Sequence, residues 1–276
     1  VCSSDLYEPD KVNAVYTTVE LAMDAVVALR GDVILVDQEY TQSIGAAAGI
    51  DMDKAGTRVI GMGQGTLKPT LTLTVVAADV LISAANCHFE GFRFVGDVND
   101  LVNFVDVDQG GFTLKDCDFV TSSAKEALGF INLATTKDDF KILGCTFVQP
   151  TDPAGTAGNV DTGAIFLIDS ENILVEDCSF VGFFETAIIH NRTTKCENLQ
   201  VINCNLTNEI EVPFVLVAAA SGVAERCYGE TLGATDATDA QVYGTIGVRF
   251  WISKSTSLGN DSGGGGQGSV NAQVAT

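Results

Sequence analysis

The sequence predicts an all-β chain, a right-handed parallel β-helix solenoid preceded by an N-terminal capping α-helix. Three observations predict it: a hydrophobic motif repeated around cysteine, a Gly, Asn or Asp just before almost every one of those cysteines, and an amphipathic stretch ahead of the first repeat. Six cysteines (Cys87, Cys117, Cys145, Cys178, Cys204 and Cys227) follow one another at intervals of 30, 28, 33, 26 and 23 residues. Such a period marks stacked structural repeats. Five places before them stand Ile82, Phe112, Phe140, Ile173, Leu199 and Gly222, and three places before stand Ala84, Leu114, Ile142, Val175, Val201 and Ala224. Two places after come Phe89, Phe119, Phe147, Phe180, Leu206 and Gly229. Positions two apart share one face of a strand, so these columns are expected to point inward.

The residue immediately before each cysteine explains why the phase shifts there. Asn86, Asp116, Gly144, Asp177 and Asn203 tolerate a left-handed backbone, and only Arg226 departs from that chemistry. A sharp bend at this position resets the two-residue alternation and turns Cys and Phe inward again. A second apolar segment follows in most units, at Leu101–Val107, Ala127–Leu133, Gly163–Ile168, Thr186–Ile189 and Phe214–Val217. Each coil is therefore expected to supply short strands to several sheets. The cysteines read as a ladder of small free hydrophobes, since neither a CxxC pair nor zinc spacing is present.

Before the first repeat, Val19, Ala22, Met23, Val26 and Leu29 fall on one helical face, with Thr17 as N-cap, Glu20 completing a capping box and Gly31 as the stop. Such a helix covers the open end of a solenoid. Beyond Leu232 the repeat fades. Residues 234–241 read as a connector, residues 242–258 as one or two further strands carrying Trp251, and residues 259–269 as a flexible glycine-rich tail. The expected organisation is an arm and capping helix over 7–30, the solenoid over 31–232, and strands with a tail over 233–276. Residues 1–6 resemble one reading frame of a sequencing adapter. They are set aside, and the natural N-terminus, with any signal peptide, is expected to be missing.

Segments such as Asn172-ILVEDCSFVG-Phe183 and Asn198-LQVINCN-Leu206, and the opening stretch Tyr16–Tyr40 with its Gly31-Asp32 turn, resemble the parallel β-helix repeats of the pectin-lyase-like superfamily. Within that group the length, capping helix and glycine-rich end are most similar to β-helix proteins of phage and environmental viral genomes. The resemblance implies the fold first. It further implies two kinds of function: a non-enzymatic structural component of a virion surface or tail, or a carbohydrate-binding or polysaccharide-degrading protein.

Charge narrows the partners. The chain carries 36 acidic against 15 basic residues, a formal charge of −21, which repels nucleic-acid phosphates and anionic membranes. The lyases of the resembled group use aspartate-bound calcium, and three acidic pairs are candidates here: Asp51 with Asp53, Asp106 with Asp108, and Asp116 with Asp118. Each also suits a solvated strand face or a bend. The group's hydrolase signatures are missing apart from Asp138-Asp139, which precedes a repeat strand as a turn does. Glu185, His190, Asn191 and Arg192 form the best polar cluster, with the residue types for proton transfer or sugar binding. Asn191-Arg192-Thr193 and Asn205-Leu206-Thr207 match glycosylation sequons. The preferred expectation is a structural protein of a virion or the extracellular space, with no catalytic residue, no resident cofactor, and itself (as a homotrimer) or other virion proteins as partners. The alternative is a glycan-binding or glycan-cleaving protein, with calcium the one cofactor in view.

Overall fold

Short apolar runs broken by left-handed bends leave the chain one compact way to bury its side chains, which is to coil and stack equivalent runs in register. A computed structural model describes residues 2–4, 14–122, 125–133, 138–150, 162–192, 196–210, 213–216, 220–231, 244–245, 249–259 and 268–272. The fold is a parallel β-helix in which each coil adds one strand to each of three parallel sheets. The front sheet begins at Val33–Val36 and continues through Arg58–Gly61, His88–Glu90, Thr113–Lys115, Lys141–Leu143, Ser170–Glu176, Cys196–Ile202 and Ser221–Glu225 to Arg249–Gly259. The flank sheet runs from Thr41–Ile44 through Thr70–Leu73, Arg93–Gly96, Asp118–Thr121, Thr146–Gln149, Ser179–Gly182 and Asn205–Asn208 to Tyr228–Thr231. The back sheet has eight strands, among them Val80–Ile82, Val105–Val107, Gly129–Leu133, Gly163–Leu167 and Ala187–Asn191.

The predicted columns are the interior. Phe119, Phe147 and Phe180 stack with centroids 5.0 and 4.6 Å apart and ring planes within 4°. Cys117, Cys145, Cys178, Cys204 and Cys227 form a continuous buried ladder of free thiols, and Cys87 and Cys196 are likewise buried and free. The thiols of Cys145, Cys178, Cys204 and Cys227 donate to carbonyls of their own coil and the preceding one. Cys178 Sγ lies 3.2 Å from the Glu176 oxygen and 3.5 Å from that of Ile142, and Cys204 repeats this with Ile202 and Val175. Burial raises the Cys145 thiol well above its ordinary pKa, so it packs as a neutral group.

The first repeat unit needs correction. Arg93 pairs with Asp118 and His88 with Thr113, so Phe92 heads the cysteine column and Phe94 lies on Phe119, 4.5 Å away at 7°. Cys87 sits one strand earlier, level with Phe112, and Ile82 belongs to the back sheet. The misreading has a physical origin. Asn86 and Gly91, five residues apart, are both left-handed, and either one satisfies the bend that the pattern requires.

Two columns of left-handed bends thus flank the front sheet. One, between front and flank, contains Gly91, Asp116, Gly144, Asp177, Asn203 and Arg226, with φ from 51° to 79°. Even Arg226 obeys it. The other, between back and front, contains Gly31, Gly56, Asn86, Gly111, Asp139, Asn172 and Asn198, with φ from 55° to 80°. In these columns the side chain of one coil folds over the next. Asn203 donates to Asp177, and Asn198 Nδ2 donates to Asn172 Oδ1 at 3.0 Å. A Cβ on Gly144 would meet the Asp116 carboxylate, so glycine there makes room for the neighbour as well as for the bend.

At the N-terminal end the capping helix is a minor element, Val19–Asp24, with Val19, Ala22 and Met23 buried. Its N-cap is Thr18, whose hydroxyl accepts from the Leu21 amide, and not Thr17, so Glu20 does not complete a capping box. Leu29 is 81% exposed and Gly31 is the first bend of the back-to-front column, because the helix ends a turn early at Ala25. Asp32 replaces the missing turn as an anchor: it accepts from the Val27 amide at 2.9 Å and pairs with Arg30. Cys2–Ser4, set aside above, runs antiparallel to Val33–Leu35. At the other end Arg249–Gly259 forms the last front strand and pairs with Gly268–Ala272. The expected connector over 234–241, the Trp251 side chain and the central glycines of the tail lie outside the described residues.

Candidate functional site

A concavity on the described surface follows the back-to-front bends. It is a groove of about 770 Å3. Its floor is the ladder Asn86, Gly111, Asp139, Asn172 and Asn198, and its wall is the outward column Thr113, Lys141, Leu174 and Gln200 of the front sheet. Every coil contributes an equivalent residue, so the polar groups repeat along the axis at the strand spacing of about 4.8 Å. Gln200 Nε2 donates to Asn198 Oδ1 at 3.2 Å, extending the amide ladder up the wall. Lys141 supplies an exposed ammonium, and Asp138 and Asp139 supply carboxylates. Asp138 Oδ1 accepts from the Glu171 amide at 3.1 Å, so this acid is engaged in joining coils. The groove can offer a row of donors and acceptors to an extended polar chain. It was legible as a Gly, Asp or Asn six places before successive cysteines (Gly111, Asp139, Asn172 and Asn198), a column that the cysteine-anchored reading passed over.

The four residues singled out from sequence are placed differently. Asn191 points inward and is 2% exposed, level with Leu167, so its sequon is closed to modification in the folded chain. His190 and Arg192 face outward and meet on one ring: the Arg192 guanidinium lies 3.4 Å from the centroid of Phe166, and the His190 ring packs edge-on at 6.0 Å. Phe166 occupies an outward position yet is fully buried, because it lies across Gly129 and Gly163, where a Cβ would strike the ring. Glu185 stands in the turn before that strand, its amide donating to Thr162 Oγ1 at 2.7 Å. Arg192 and His190 thus have a packing role, covering an aromatic ring by cation–π and edge contacts.

A tighter polar cluster lies on the front sheet. Glu90 bridges two side chains: Oε2 is 2.8 Å from His88 Nε2 and Oε1 is 2.8 Å from Lys115 Nζ. Burial pushes the Glu90 carboxyl up, but Lys115 and His88 together outweigh it and hold the group below its ordinary value. A carboxylate held ionised by such partners is a poor proton donor at neutral pH. Its evident effect is to join neighbouring strands.

The acids of the three pairs fall on different parts of the coil. Asp51 and Asp106 share the outer column of the back sheet with Leu81 between them, while Asp116 is a bend and Asp118 lies on the flank sheet beside Lys68 Nζ at 3.0 Å. Asn132 Nδ2 donates to Asp106 at 2.8 Å. Burial raises the Asp106 pKa, opposed by that hydrogen bond and aided by Asp108. Among the described residues no three His, Cys, Asp or Glu side chains gather as a metal site. No family model matches the sequence, and no curated protein matches it.

Proposed function

We propose that the protein is a non-enzymatic structural element, a rigid acidic rod on the surface or tail of a particle such as a phage virion. One observation carries the reading: interior columns run from coil to coil without a break, from Phe94 to Phe180 in the ring stack and from Cys117 to Cys227 in the thiol ladder. Polar side chains extend the same logic outside, with Asn198 on Asn172, Asn203 on Asp177, and Glu90 between His88 and Lys115, each joining one coil to the next. A chain so organised is stiff along its axis, and a charge of −21 keeps it soluble beside other acidic surfaces. The location follows from the resemblance read in the sequence alone, and the extracellular face of a particle is where such a rod would work. The test is incubation of the purified chain with a panel of polysaccharides, with and without calcium, beside limited proteolysis of the native protein. Resistance to protease and no release of reducing ends or unsaturated products is the expected result. Turnover of any polysaccharide overturns the reading.

A second reading has its own observation. The groove over Asn86, Gly111, Asp139, Asn172 and Asn198 repeats amides and carboxylates along the axis, as suits a linear glycan laid parallel to the rod. Binding without cleavage is compatible with the structural role. Affinity electrophoresis in polysaccharide gels tests it: retardation lost in Asn172→Ala/Gln200→Ala supports the groove, and unchanged mobility of the wild-type chain in every gel removes it.

A further inference from the structure

We propose that the flank sheet is a self-association face, docking antiparallel on the flank of a second copy of this chain about a twofold axis that passes between Val120 and Val148. This rests on the structural reading above and names its partner. The sheet presents two outward columns. One, in register, reads Ser43, Thr72, Val95, Val120, Val148, Val181, Thr207 and Glu230. Its centre is a run of four half-exposed valines closed by threonine at both ends, the same in either direction.

That palindrome is what a twofold interface requires, since such an interface must be complementary to itself. Antiparallel docking sets Val120 against Val148, Val95 against Val181, and Thr72 against Thr207 of the second copy. The other column contributes Arg93 and Asp118 among Thr70, Thr146, Ser179 and Asn205. In the same alignment Arg93 faces Ser179, Asp118 faces Thr146, and Glu230 faces Ser43, so no like charges meet. Asp118 is moreover already paired with Lys68.

Charge selects this face over the others. Two copies of a −21 chain repel one another, and they approach most easily where acids are sparse. The back sheet carries Asp51 and the half-buried Asp106 in one column and the outer front column carries Glu90, Glu176 and Glu225, whereas the flank sheet's two acids are Asp118, paired with Lys68, and Glu230, on its last strand away from the valines. The flank sheet spans roughly 38 by 13 Å at ordinary strand spacing and rise, near 500 Å2 on each copy. The total of about 1,000 Å2 is at the lower limit for a specific interface, so association is expected to be reversible and concentration-dependent.

Sedimentation velocity across a concentration series at moderate salt tests this, together with directed cross-linking in a Cys2→Ser background. The wild-type chain is expected to shift from monomer to dimer. Val120→Asp/Val148→Asp is expected to remain monomeric with unchanged circular dichroism and melting. Mixing Val95→Cys with Val181→Cys chains is expected to give a disulfide between the two different chains, which does not rely on the aspartate variant folding. A monomer at every concentration, a trimer, a dimer that survives Val120→Asp/Val148→Asp with its fold intact, or cross-linking of Val95→Cys to itself alone would each overturn the proposal. A monomer that resists protease and cleaves no polysaccharide removes this interface and leaves the rod standing. Polysaccharide cleavage removes the rod reading whatever the oligomeric state.

Discussion

The flank sheet and the back sheet are built from the same number of coils, yet only the flank sheet repeats its chemistry on both sides. Inside it, Phe94, Phe119, Phe147 and Phe180 stack with their ring planes almost parallel; outside it, Val95, Val120, Val148 and Val181 follow in the same order. The back sheet keeps a regular interior of Val80, Val105, Ile131, Ile165 and Ile189, but its outer column runs Asp51, Leu81, Asp106, Asn132, Phe166, His190 and Val215. Stacking constrains the inside of every sheet, because each interior side chain has the equivalent residue of the next coil as its neighbour. On the outside nothing imposes a repeat. A repeat that persists there is an added feature, and an irregular column shows what the fold leaves free.

The sharpest way to break this contrast is to remove a ring from each sheet. Phe147→Ala takes a ring out of the middle of the stack and is expected to cost about 3–5 kcal/mol in denaturant unfolding. Phe166→Ala also removes a fully buried ring, but one lying on glycines under Arg192, where the outer surface can close in. A smaller loss is expected, and equal losses would mean that the back sheet's outer face is as tightly packed as the core.

The bends come next in size. Asn203→Ala forces a Cβ residue without the amide into a left-handed bend and deletes the bond to Asp177, an expected loss of about 1–2 kcal/mol. Asn203→Gly keeps the conformation, loses only the bond, and should be milder when the two are melted side by side.

Smaller effects distinguish the charged faces. Glu90→Gln removes the carboxylate between His88 and Lys115, with an expected loss on the order of 0.5–1 kcal/mol at neutral pH. Because the folded-state pKa of Glu90 is lowered, its contribution is present above the unfolded value and disappears as pH falls through the folded value. Glu90→Gln and wild type should therefore converge in acid. Asp106 behaves oppositely. Its raised pKa means that it favours folding below its unfolded value and that this advantage is lost as pH rises through the folded one. Asp106→Asn is expected to gain a few tenths of a kcal/mol at neutral pH, within the range for relieved like-charge neighbours, and the gain should vanish in acid. A pH series of melts on the two variants checks both signs.

Most of the architecture was legible because the interior columns obey local rules. Phe112, Leu114, Cys117 and Phe119 announce two strands and a bend in eight residues, and the same grammar recurs three coils running. It failed at Cys87, where two left-handed positions five residues apart made two registers equally good locally and only pairing with the neighbouring coils decides between them. The helix was overextended because Val26 and Leu29 continue the helical period, while tertiary contact through Asp32 stops it. The site was harder still. Grouping Glu185, His190, Asn191 and Arg192 relied on closeness in sequence, but strand alternation sends Asn191 inward and its neighbours outward. Phe166 lies buried on an outer face only because glycines occupy the two places beneath it, and no local pattern marks that.

In five successive coils the two bends stand five residues apart: Asn86 to Gly91, Gly111 to Asp116, Asp139 to Gly144, Asn172 to Asp177 and Asn198 to Asn203. Across these five coils the variation in coil length therefore falls elsewhere, and the bend-to-bend segment acts as a fixed gauge. A chain measured this way can be edited in whole coils. Excision of residues 145–177 joins Gly144 directly to Cys178 with every column continuous, shortening the rod by one strand spacing and leaving both ends unchanged. Length, in such a protein, is inherited in discrete steps.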